Sequence, residues 1–417
     1  MIYGCIAEKL GHSFSKEIHN RLFDYDYELS EIKKEDLESF MLDKNFKAIN
    51  VTIPYKEAVM PYLDEISDKA KSIGAVNTIV NDNGKLKGYN TDFSGMTQLL
   101  NKNNIRLKGK KILILGSGGT SKTAVAVAES MECLCCYVVS RTEKNGSISY
   151  ETAEKQHNDA QVIINTTPVG MYPNIGKSPI ELSKYPNVEA VVDAIYNPIS
   201  SKLVCDAKKR GIKAVGGLYM LVAQAAIAAE KFIDTTVPVS EIDRVYREIL
   251  SLKRNVVLTG MPGSGKSTIG KRIAEELSFD FYDTDELIVK KYGKTIPEIF
   301  SEIGEKGFRQ LESEAVYEIS SFQGAVIATG GGAILNETNV EMLRENGIVY
   351  FIDRDINSIA ATSDRPLSSN RKDLEKRYAE RYPLYKERCD RHIVITNTVD
   401  ENVQKIKKDF LNENTCD

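Results

Sequence analysis

The chain has 417 residues, of which 42% are hydrophobic and 27% charged, and its formal net charge is −4 at pH 7. These values indicate a soluble globular protein with room for two to four compact units, and they give no support for nucleic-acid binding. No apolar run approaches the roughly 20 residues of a membrane span, and the N-terminus lacks the basic-then-apolar layout of a secretion signal. Seven scattered cysteines favour reduced thiols and a cytoplasmic location. Small molecules are therefore the expected partners, and the oligomeric state is left open.

Residues 1 to about 102 alternate short apolar runs with charged helical patterns. In LGHSFSKEIHN, the hydroxyls of Ser13 and Ser15 suit an anion such as a carboxylate, although a helix N-cap explains Ser15 equally well. The segment INVTIPYKEAV predicts a strand followed by a helix that begins at Pro54, with Lys56 in its first turn.

Two Asn-Thr pairs follow at predicted strand edges, in GAVNTIV and KGYNTDF, and Asp92 comes directly after the second. A lysine and an aspartate that converge on one carbonyl form a proton relay suited to hydride reduction, so Lys56 and Asp92 are candidates for that chemistry. Taken alone, Lys56 is better explained as a surface charge.

The stretch KKILILGSGGTSKTAVAVAESM predicts a strand, a glycine turn and a helix, the arrangement of a dinucleotide site. The next strand ends in VVSRT, where Arg141, Thr142 and nearby Lys144 suit a 2′-phosphate, so NADP is expected rather than NAD. Without the glycine loop, Arg141 could simply cap a strand. The candidate cofactor-binding residues of the loop are Gly116, Gly118, Gly119 and Ser121.

Further buried strands are predicted in AQVIINTTPVGM and VEAVVDAIYNP, and this repeated βα pattern indicates a parallel sheet. From about residue 218, LYMLVAQAAIAAEKFI predicts a long apolar helix. A polar helical stretch, SEIDRVYREILSLKR, then leads to a new strand, NVVLTG. We therefore expect a domain boundary near residue 250, with a stiff or helical connection.

The segment VVLTGMPGSGKSTIGKRIAEEL contains G-x-x-x-x-G-K-S between a strand and an amphipathic helix. In such a loop the backbone N–H groups wrap phosphates, the lysine reaches the β- and γ-phosphates, and the serine holds Mg²⁺. ATP and Mg²⁺ are therefore expected here. No guanine-reading N-K-x-D follows, and about 165 residues fit a small-molecule kinase better than a motor ATPase. The candidate nucleotide-binding residues are Gly260, Gly263, Ser264, Gly265, Lys266, Ser267 and Thr268.

Acidic side chains follow the next predicted strand, in FDFYDTDEL. Asp283 and Asp285 share one face, so one can hold magnesium's water while the other accepts a hydrogen bond from an attacking hydroxyl. An acidic N-cap of the following helix is the local alternative. In GEKGFRQLE, Arg309 and Glu312 are three residues apart on a helix, so Glu312 can orient the guanidinium.

Three features complete the second half. In ATGGG, the glycine run 330–332 lets a ligand approach the backbone closely. SDRPL and AERYPLY supply Arg365 and Arg381, which suit a carboxylate or developing phosphoryl charge, although surface solvation is the more common explanation for any one arginine. Arg365 lies in a polar stretch, 354–372, that is typical of a lid.

Taken in order, the motifs of residues 253–417 resemble those of shikimate kinases. The resemblance implies that Asp283 works near magnesium and that Arg365 closes over the phosphates. The chain departs from the family at Ser358, where an arginine near the adenine is common. The shikimate-binding residues that the resemblance implies are Asp285, Arg309, Gly331 and Arg381, with the two arginines on the carboxylate of shikimate.

Residues 1 to about 248 resemble shikimate dehydrogenases through S-x-S, N-V-T-x-P-x-K, G-A-x-N-T, G-x-N-T-D, the glycine loop, N-T-T-P-x-G-M and the glutamine of MLVAQA. The strand-end S-R-T, with Ser140, stands where N-R-T is common. The resemblance implies that residues 1–102 and 219–248 form a substrate lobe around an NADP lobe, 103–218, with Lys56 and Asp92 catalytic. The implied site residues are Ser13, Ser15, Thr52, Lys56, Asn77, Asp92 and Gln224.

The sequence therefore predicts an α/β protein in which a two-lobed dehydrogenase with a Rossmann-like NADP lobe precedes a P-loop kinase domain, whose parallel sheet is flanked by helices. The first half would reduce 3-dehydroshikimate to shikimate with NADPH, and the second would phosphorylate the new 3-hydroxyl with ATP. One alternative makes the first half a quinate dehydrogenase using NAD, against which Arg141 argues. Another is a regulatory protein without turnover, which the presence of Lys56, Asp92 and Lys266 disfavours.

Overall fold

The computed structural model divides the chain into two compact units, which are described separately below. The first contains Met1–Met171, Lys177–Asn197 and Leu203–Ile249, and the second contains Tyr172–Gly176, Pro198–Lys202 and Leu250–Asp417. The residues described are 2–11, 13–143, 146–359, 371–395 and 398–416, with the backbone alone for 413–416. Among them, no helix has the length and apolar character needed to cross a bilayer.

A mixed six-stranded sheet opens the first unit. Its strands are β1 (Tyr3–Ala7), β2 (Tyr27–Glu31), β3 (Ala48–Val51), β4 (Glu65–Ile66), β5 (Thr78–Asp82) and β6 (Lys85–Tyr89). Its helices are α1 (Ser15–Leu22), α2 (Leu37–Asp43), α3 (Asp68–Ile73) and α4 (Asp92–Lys102). The strand order is β2-β1-β3-β5-β6-β4, with β1 parallel to β2 and β3. Because β1 and β3 are parallel neighbours, the segments after them begin at the same edge of the sheet.

The predicted helix at Pro54 is wrong. Residues 53–59 form successive turns, and a short 3-10 helix, Met60–Tyr62, follows. Tertiary bonds account for the difference, because the buried Tyr55 donates its hydroxyl to the carbonyl of Ile32 at 2.6 Å. The carbonyl of Lys56 accepts the N–H of Val76 at 2.8 Å. These long-range bonds hold the segment against the sheet instead of letting it coil.

A second sheet in the first unit is entirely parallel, as the repeated βα pattern predicts. Its order is β11-β10-β9-β7-β8. The strands are β7 (Lys111–Leu115), β8 (Cys135–Val139), β9 (Val162–Asn165), β10 (Ala190–Asp193) and β11 (Lys213–Val215). The helices are α5 (Gly119–Ser130), α6 (Tyr150–Gln156) and α7 (Lys202–Lys209). The loop after β7 lies where the chain changes its direction across the sheet, a usual place for a nucleotide.

Two helices end this part of the chain, α8 (Leu218–Ile233) and α9 (Val239–Lys253). Helix α8 is apolar and packs back against α4 and α1, beside the first sheet. The approach to α4 is close, because a Cβ added to Gly95 would lie 2.7 Å from the carbonyl oxygen of Met220. This packing carries Gln224 to the start of α4.

The third sheet belongs to the second unit and is also parallel, in the order β13-β14-β12-β15-β16. Apolar clusters cover both of its faces. The strands are β12 (Asn255–Thr259), β13 (Asp280–Asp283), β14 (Ala325–Ala328), β15 (Gly347–Asp353) and β16 (Arg391–Val394). The helices are α10 (Lys266–Leu277), α11 (Thr284–Tyr292), α12 (Ile296–Ser320), α13 (Glu337–Asn346), α14 (Arg371–Arg388) and α15 (Val399–Cys416).

Candidate active sites

Lys56 and Asp92 form a buried ion pair in the first unit. The lysine Nζ lies 2.5 Å from Oδ2 of the aspartate, and their side chains are 13% and 9% exposed. Lys56 is therefore not the surface charge that its residue type alone would suggest. Asp92 is the first residue of α4, where the helix dipole favours a carboxylate. The pair is preformed, with each charge compensating the other in a poorly solvated position.

A cluster of uncharged polar side chains joins three elements beside this pair. The amide oxygen of Asn77 accepts the backbone N–H of Thr91 at 2.7 Å, and its Nδ2 donates to the Thr91 hydroxyl at 3.0 Å. Nδ2 also lies 3.4 Å from Oε1 of Gln224, which comes from α8. All three residues are buried. The structure thus brings together Asn77 and Gln224, which are far apart in the sequence.

Further hydrogen bonds, from Tyr27 and Asn50, hold the segment that contains Asn77. Tyr27 donates its hydroxyl to Oδ1 of Asn50 at 2.7 Å. Nδ2 of Asn50 then donates to the Asn77 carbonyl at 3.3 Å and to the Thr78 hydroxyl at 3.2 Å. Our sequence interpretation missed Tyr27 and Asn50. The available signal was an asparagine inside a short apolar strand, since a buried amide needs partners.

Ser13 and Ser15 bond to each other through their hydroxyl oxygens, 3.0 Å apart. Helix α1 begins at Ser15, and the preceding residue, Phe14, is the N-cap and provides no side-chain cap. The alternative role of Ser15 as an N-cap is therefore wrong. Thr52 follows β3 and donates its N–H to the Ile6 carbonyl in β1 at 3.1 Å. Among the described residues, no hydrogen bond links these hydroxyls to Lys56 or Asp92.

The glycine loop after β7 has the backbone that a dinucleotide site requires. Gly116 has φ +105, and a Cβ there would lie 2.8 Å from the Thr166 hydroxyl. A Cβ added to Gly118 would meet nothing within 4 Å, so the space over that backbone is open to a ligand. A Cβ on Gly119, the first residue of α5, would lie 3.6 Å from Cδ of Lys56. The loop therefore adjoins the Lys56–Asp92 pair.

Arg141 is exposed directly after β8, the strand beside β7. The two loops are linked because the hydroxyls of Ser117 and Ser140 lie 3.3 Å apart, and Ser140 also accepts the Thr142 N–H at 3.4 Å. Ser121 is buried in α5, as close helix packing requires. Lys144 lies outside the described residues.

In the second unit, the P-loop connects β12 to α10. Gly260, Gly263 and Gly265 all have positive φ, of 148°, 81° and 99°. Nζ of Lys266 donates to the carbonyls of Gly260 and Met261, both at 3.0 Å. Ser264 is buried and Thr268 is exposed on the first turn of α10. These two bonds hold the Lys266 ammonium against the P-loop, directly before the N-terminus of α10.

Ser267 and Asp283 meet beside the P-loop, with the serine hydroxyl donating to Oδ2 of the aspartate at 2.8 Å. Oδ1 of Asp283 accepts the N–H of Asp285 at 3.0 Å and caps α11. The N-cap alternative is therefore correct for Asp283, and it coexists with the contact to Ser267. A hydroxyl and a carboxylate are oxygen ligands of the kind that Mg²⁺ takes, so these two residues fit that ion.

Arg309 and Glu312 form the predicted pair on α12, with Nη1 2.8 Å from Oε2. Nη2 of Arg309 also bonds Glu305 at 3.2 Å. The Glu312 side chain is only 1% exposed. Burial raises the pKa of Glu312 to about 7, and the Arg309 guanidinium opposes that rise. Arg309 is therefore oriented by Glu312, whose carboxyl group is almost completely shielded from solvent.

The glycine run 330–332 makes room for the site's own side chains. A Cβ on Gly330 would lie 2.5 Å from Oδ1 of Asp285, and one on Gly332 would lie 1.8 Å from Nη1 of Arg309. The corresponding space at Gly331 is filled by the Pro262 ring, 2.6 Å away. Gly331 and Gly332 also line the cavity described below, so the expectation that a ligand approaches the backbone here stays a prediction.

Arg381 is buried on α14 and donates from Nη1 to the Gly331 carbonyl at 2.9 Å. The Tyr385 hydroxyl donates to the same oxygen at 2.6 Å. Arg365 lies outside the described residues. A cavity of about 210 Å³ connects the P-loop with these groups, and its polar lining includes Lys266, Ser267, Asp283, Asp285, Arg309, Glu312, Arg377 and Arg381. Arg377 was missed by our sequence interpretation, although it lies one helical turn before Arg381.

These two sites define the class of protein, a nucleotide-dependent dehydrogenase joined to a P-loop phosphotransferase. Residues 5–79 match the family model of the shikimate dehydrogenase substrate binding domain, and residues 262–411 match that of shikimate kinase.

Individual relatives cover the first part of the chain. The shikimate dehydrogenase (NADP(+)) of Clostridium beijerinckii is 42% identical over 244 residues, 55% of this chain and 90% of the relative. The crystal structure of shikimate dehydrogenase 1 from Peptoclostridium difficile is 38% identical, with a TM-score of 0.56, over 60% of this chain and 97% of that one. The Thermus thermophilus shikimate 5-dehydrogenase, in complex with NADP(H) and shikimate, is 28% identical, with a TM-score of 0.54, over 60% and 99%.

The chain belongs to the shikimate dehydrogenase family, and its C-terminal part is a shikimate kinase domain. It therefore combines two enzymes of the shikimate pathway, an oxidoreductase and a kinase.

Proposed function

We propose that residues 1 to about 248 reduce 3-dehydroshikimate to shikimate with NADPH, and that residues 253–417 phosphorylate the new 3-hydroxyl with ATP. The observation that carries the first activity is Lys56, which pairs with Asp92 at 2.5 Å and also adjoins Gly119 of the glycine loop. A proton donor beside a nucleotide loop is the arrangement that carbonyl reduction needs.

NADPH, when bound, supplies the hydride to the carbonyl carbon. In the proposed mechanism, the Lys56 ammonium donates a proton to the carbonyl oxygen as it becomes a hydroxyl, and Asp92 orients the lysine through their ion pair. Asn77 and Gln224 bind ring hydroxyls of the substrate, while Ser13, Ser15 and Thr52 bind its carboxylate. Hydride and proton together account for the two hydrogens gained.

The preference for NADP rests on the loop after β8. Arg141 is exposed there, next to Thr142, and a guanidinium suits a 2′-phosphate better than a 2′-hydroxyl. The relative from Clostridium beijerinckii carries NADP(+) in its name, which supports this assignment. Residues 103–218 would form the cofactor lobe, and 1–102 with 219–248 the substrate lobe. The packing of α8 against α4 and α1 supports the second grouping.

In the kinase domain, Asp285 would accept a hydrogen bond from the attacking 3-hydroxyl of shikimate. Gly331 would bind shikimate through its backbone, and Arg309 and Arg381 would bind the carboxylate of shikimate. Lys266 would stabilise charge on the transferred phosphoryl group. Ser267 and Asp283 would hold Mg²⁺, which neutralises phosphate charge when bound. Arg365 would close over the phosphates. Both substrates are small molecules, and we place the protein in the cytoplasm because of its scattered cysteines.

The test is a stepwise assay of the purified full chain. With 3-dehydroshikimate and NADPH we expect shikimate, and after addition of ATP and Mg²⁺ we expect shikimate 3-phosphate, both resolved by chromatography. Chelation with EDTA should stop only the second step. Faster oxidation of quinate with NAD than of shikimate with NADP would favour the quinate alternative, and absence of turnover in both steps would favour the regulatory one.

A further inference from the structure

Arg377 is a half-buried arginine in the kinase cavity that none of the proposed roles uses. It lies on α14, four residues before Arg381, so the two side chains share one face of the helix. It lines the same 210 Å³ cavity as Arg309 and Arg381. Three guanidinium groups therefore converge on one small space.

The other two arginines of this group already have partners. Arg309 bonds Glu312 and Glu305, and Arg381 bonds the Gly331 carbonyl. Among the described residues, Arg377 makes neither a hydrogen bond nor an ion pair, and Glu305 and Asp373 attract it only from a distance. Burial, followed by the positive charge of Arg381, lowers the pKa of Arg377. The protein thus places a cation where solvent is reduced and positive charge already accumulates.

Such a position costs free energy unless an anion enters the cavity. Arg377 lies one helical turn from Arg381 and lines the cavity together with Arg309, so it belongs to the arginine end of the cavity. Arg309 and Arg381 are the residues proposed to bind the carboxylate of shikimate. A carboxylate offers about four lone-pair positions, so it can accept hydrogen bonds from more than two guanidinium groups.

We propose that Arg377 is a substrate-binding residue that supplies a third guanidinium to the carboxylate of the phosphoryl acceptor. This inference rests on the proposed kinase function and deepens it. When the acceptor binds, its carboxylate compensates all three arginines, and repulsion among them then selects for an anionic acceptor over a neutral one.

The experiment compares Arg377→Leu with Lys376→Leu in the full chain. Lys376 is the matched control, because it carries the same charge on the adjacent residue but is exposed and outside the cavity. Arg377→Leu should raise the KM for shikimate about tenfold, because the variant loses one charge-assisted hydrogen bond to the carboxylate of shikimate. Its kcat should change less than about threefold and its KM for ATP should not change. Arg377→Lys should be intermediate because it keeps the charge and loses the planar fork.

Shikimate methyl ester supplies the second arm, because it lacks the negative charge. On the ester, the kcat/KM values of wild type and Arg377→Leu should agree within about twofold. The difference between acid and ester then measures the interaction between Arg377 and the carboxylate. A KM for shikimate equal to that of Lys376→Leu, a raised KM for ATP, or an equal loss on acid and ester would each overturn the inference. If wild type does not phosphorylate shikimate at all, the kinase assignment itself fails. Thermal unfolding of each variant checks the fold, and Arg377→Lys decides the question if the leucine variant does not fold.

Discussion

The two parts of the chain prepare their substrate sites with different kinds of bonds. In the dehydrogenase part, uncharged groups such as Asn77, Thr91 and Gln224 lie beside a compact ion pair, Lys56–Asp92. In the kinase part, charges dominate, with Arg309 and Arg381 set among carboxylates. The first arrangement concentrates its charge in one pair, so its chemistry should depend strongly on that pair. The second distributes charge over many groups, so neighbours should partly compensate the loss of one binding arginine.

We expect the strongest loss of activity from a change of the P-loop lysine, Lys266. Neighbouring charges cannot replace Lys266, because this lysine acts on the transferred phosphoryl group. Lys266→Ala should lower the phosphorylation rate by about 10³-fold or more. Reduction of 3-dehydroshikimate should stay near the wild-type rate, so the variant should accumulate shikimate when given NADPH and ATP. Loss of reduction as well would show that the two activities are coupled.

The corresponding change in the dehydrogenase part is Lys56→Ala. We expect the reduction rate to fall by about 10²- to 10⁴-fold while shikimate binding weakens much less, since a proton donor acts mainly in the transition state. Steady-state kinetics and equilibrium binding separate the two effects. A loss confined to binding would make Lys56 a positioning residue, and phosphorylation of added shikimate serves as the internal control.

A glycine substitution tests how tightly the charged site is packed. In Gly332→Ala, the new Cβ would lie 1.8 Å from Nη1 of Arg309, although φ of −103° suits alanine. Arg309 must move, so the KM for shikimate in the kinase reaction should rise by about 10- to 100-fold. Unchanged kinase kinetics would mean that Arg309 is not needed where the structure places it. The reduction rate should not change.

The preference for NADPH over NADH tests the role of Arg141, which is exposed after β8 in the dehydrogenase part. Arg141→Asp replaces a cation with a carboxylate beside the proposed 2′-phosphate position, and the NADPH/NADH ratio of kcat/KM should fall by about 10- to 100-fold. Arg106→Asp is the control, because Arg106 is exposed and precedes β7, at the opposite edge of the parallel sheet from the loop after β8. An unchanged ratio in Arg141→Asp would remove Arg141 from cofactor recognition.

The last effect is on stability instead of activity, and it concerns pH and Glu312. Burial raises the pKa of this carboxyl from 4.5 to about 7 in the folded protein, so folding favours its protonated form. The free energy of unfolding of wild type should therefore fall relative to Glu312→Gln as the pH rises from about 4.5 to about 7, by up to about 3 kcal/mol. Thermal unfolding midpoints of both proteins at pH 5, 6, 7 and 8 measure this difference. A difference that does not vary with pH would contradict the buried acid.

Much of this architecture can be predicted from local sequence patterns. The P-loop, the glycine loop and the pair of Arg309 and Glu312 each lie within one strand–turn–helix or one helical turn, so spacing alone predicts them. The turns after Pro54 could not be predicted in this way, because bonds from Tyr55 and Lys56 to distant backbone groups form them.

Two further features depend on tertiary contacts that leave weak sequence signals. Asn50 supports Asn77 from inside a buried strand and belongs to no charge pattern. Arg377 stands among other arginines and lysines on α14, and only the cavity distinguishes it from the exposed ones.

The central claim is that one chain carries two complete and separate active sites for consecutive reactions. The most direct test mixes equimolar Lys56→Ala and Lys266→Ala with 3-dehydroshikimate, NADPH, ATP and Mg²⁺ and measures shikimate 3-phosphate over time. Each variant alone should stop at one step, the first leaving 3-dehydroshikimate and the second accumulating shikimate. We expect the mixture to form shikimate 3-phosphate. A mixture that forms none, although each variant keeps its other activity, would contradict the presence of two separate active sites.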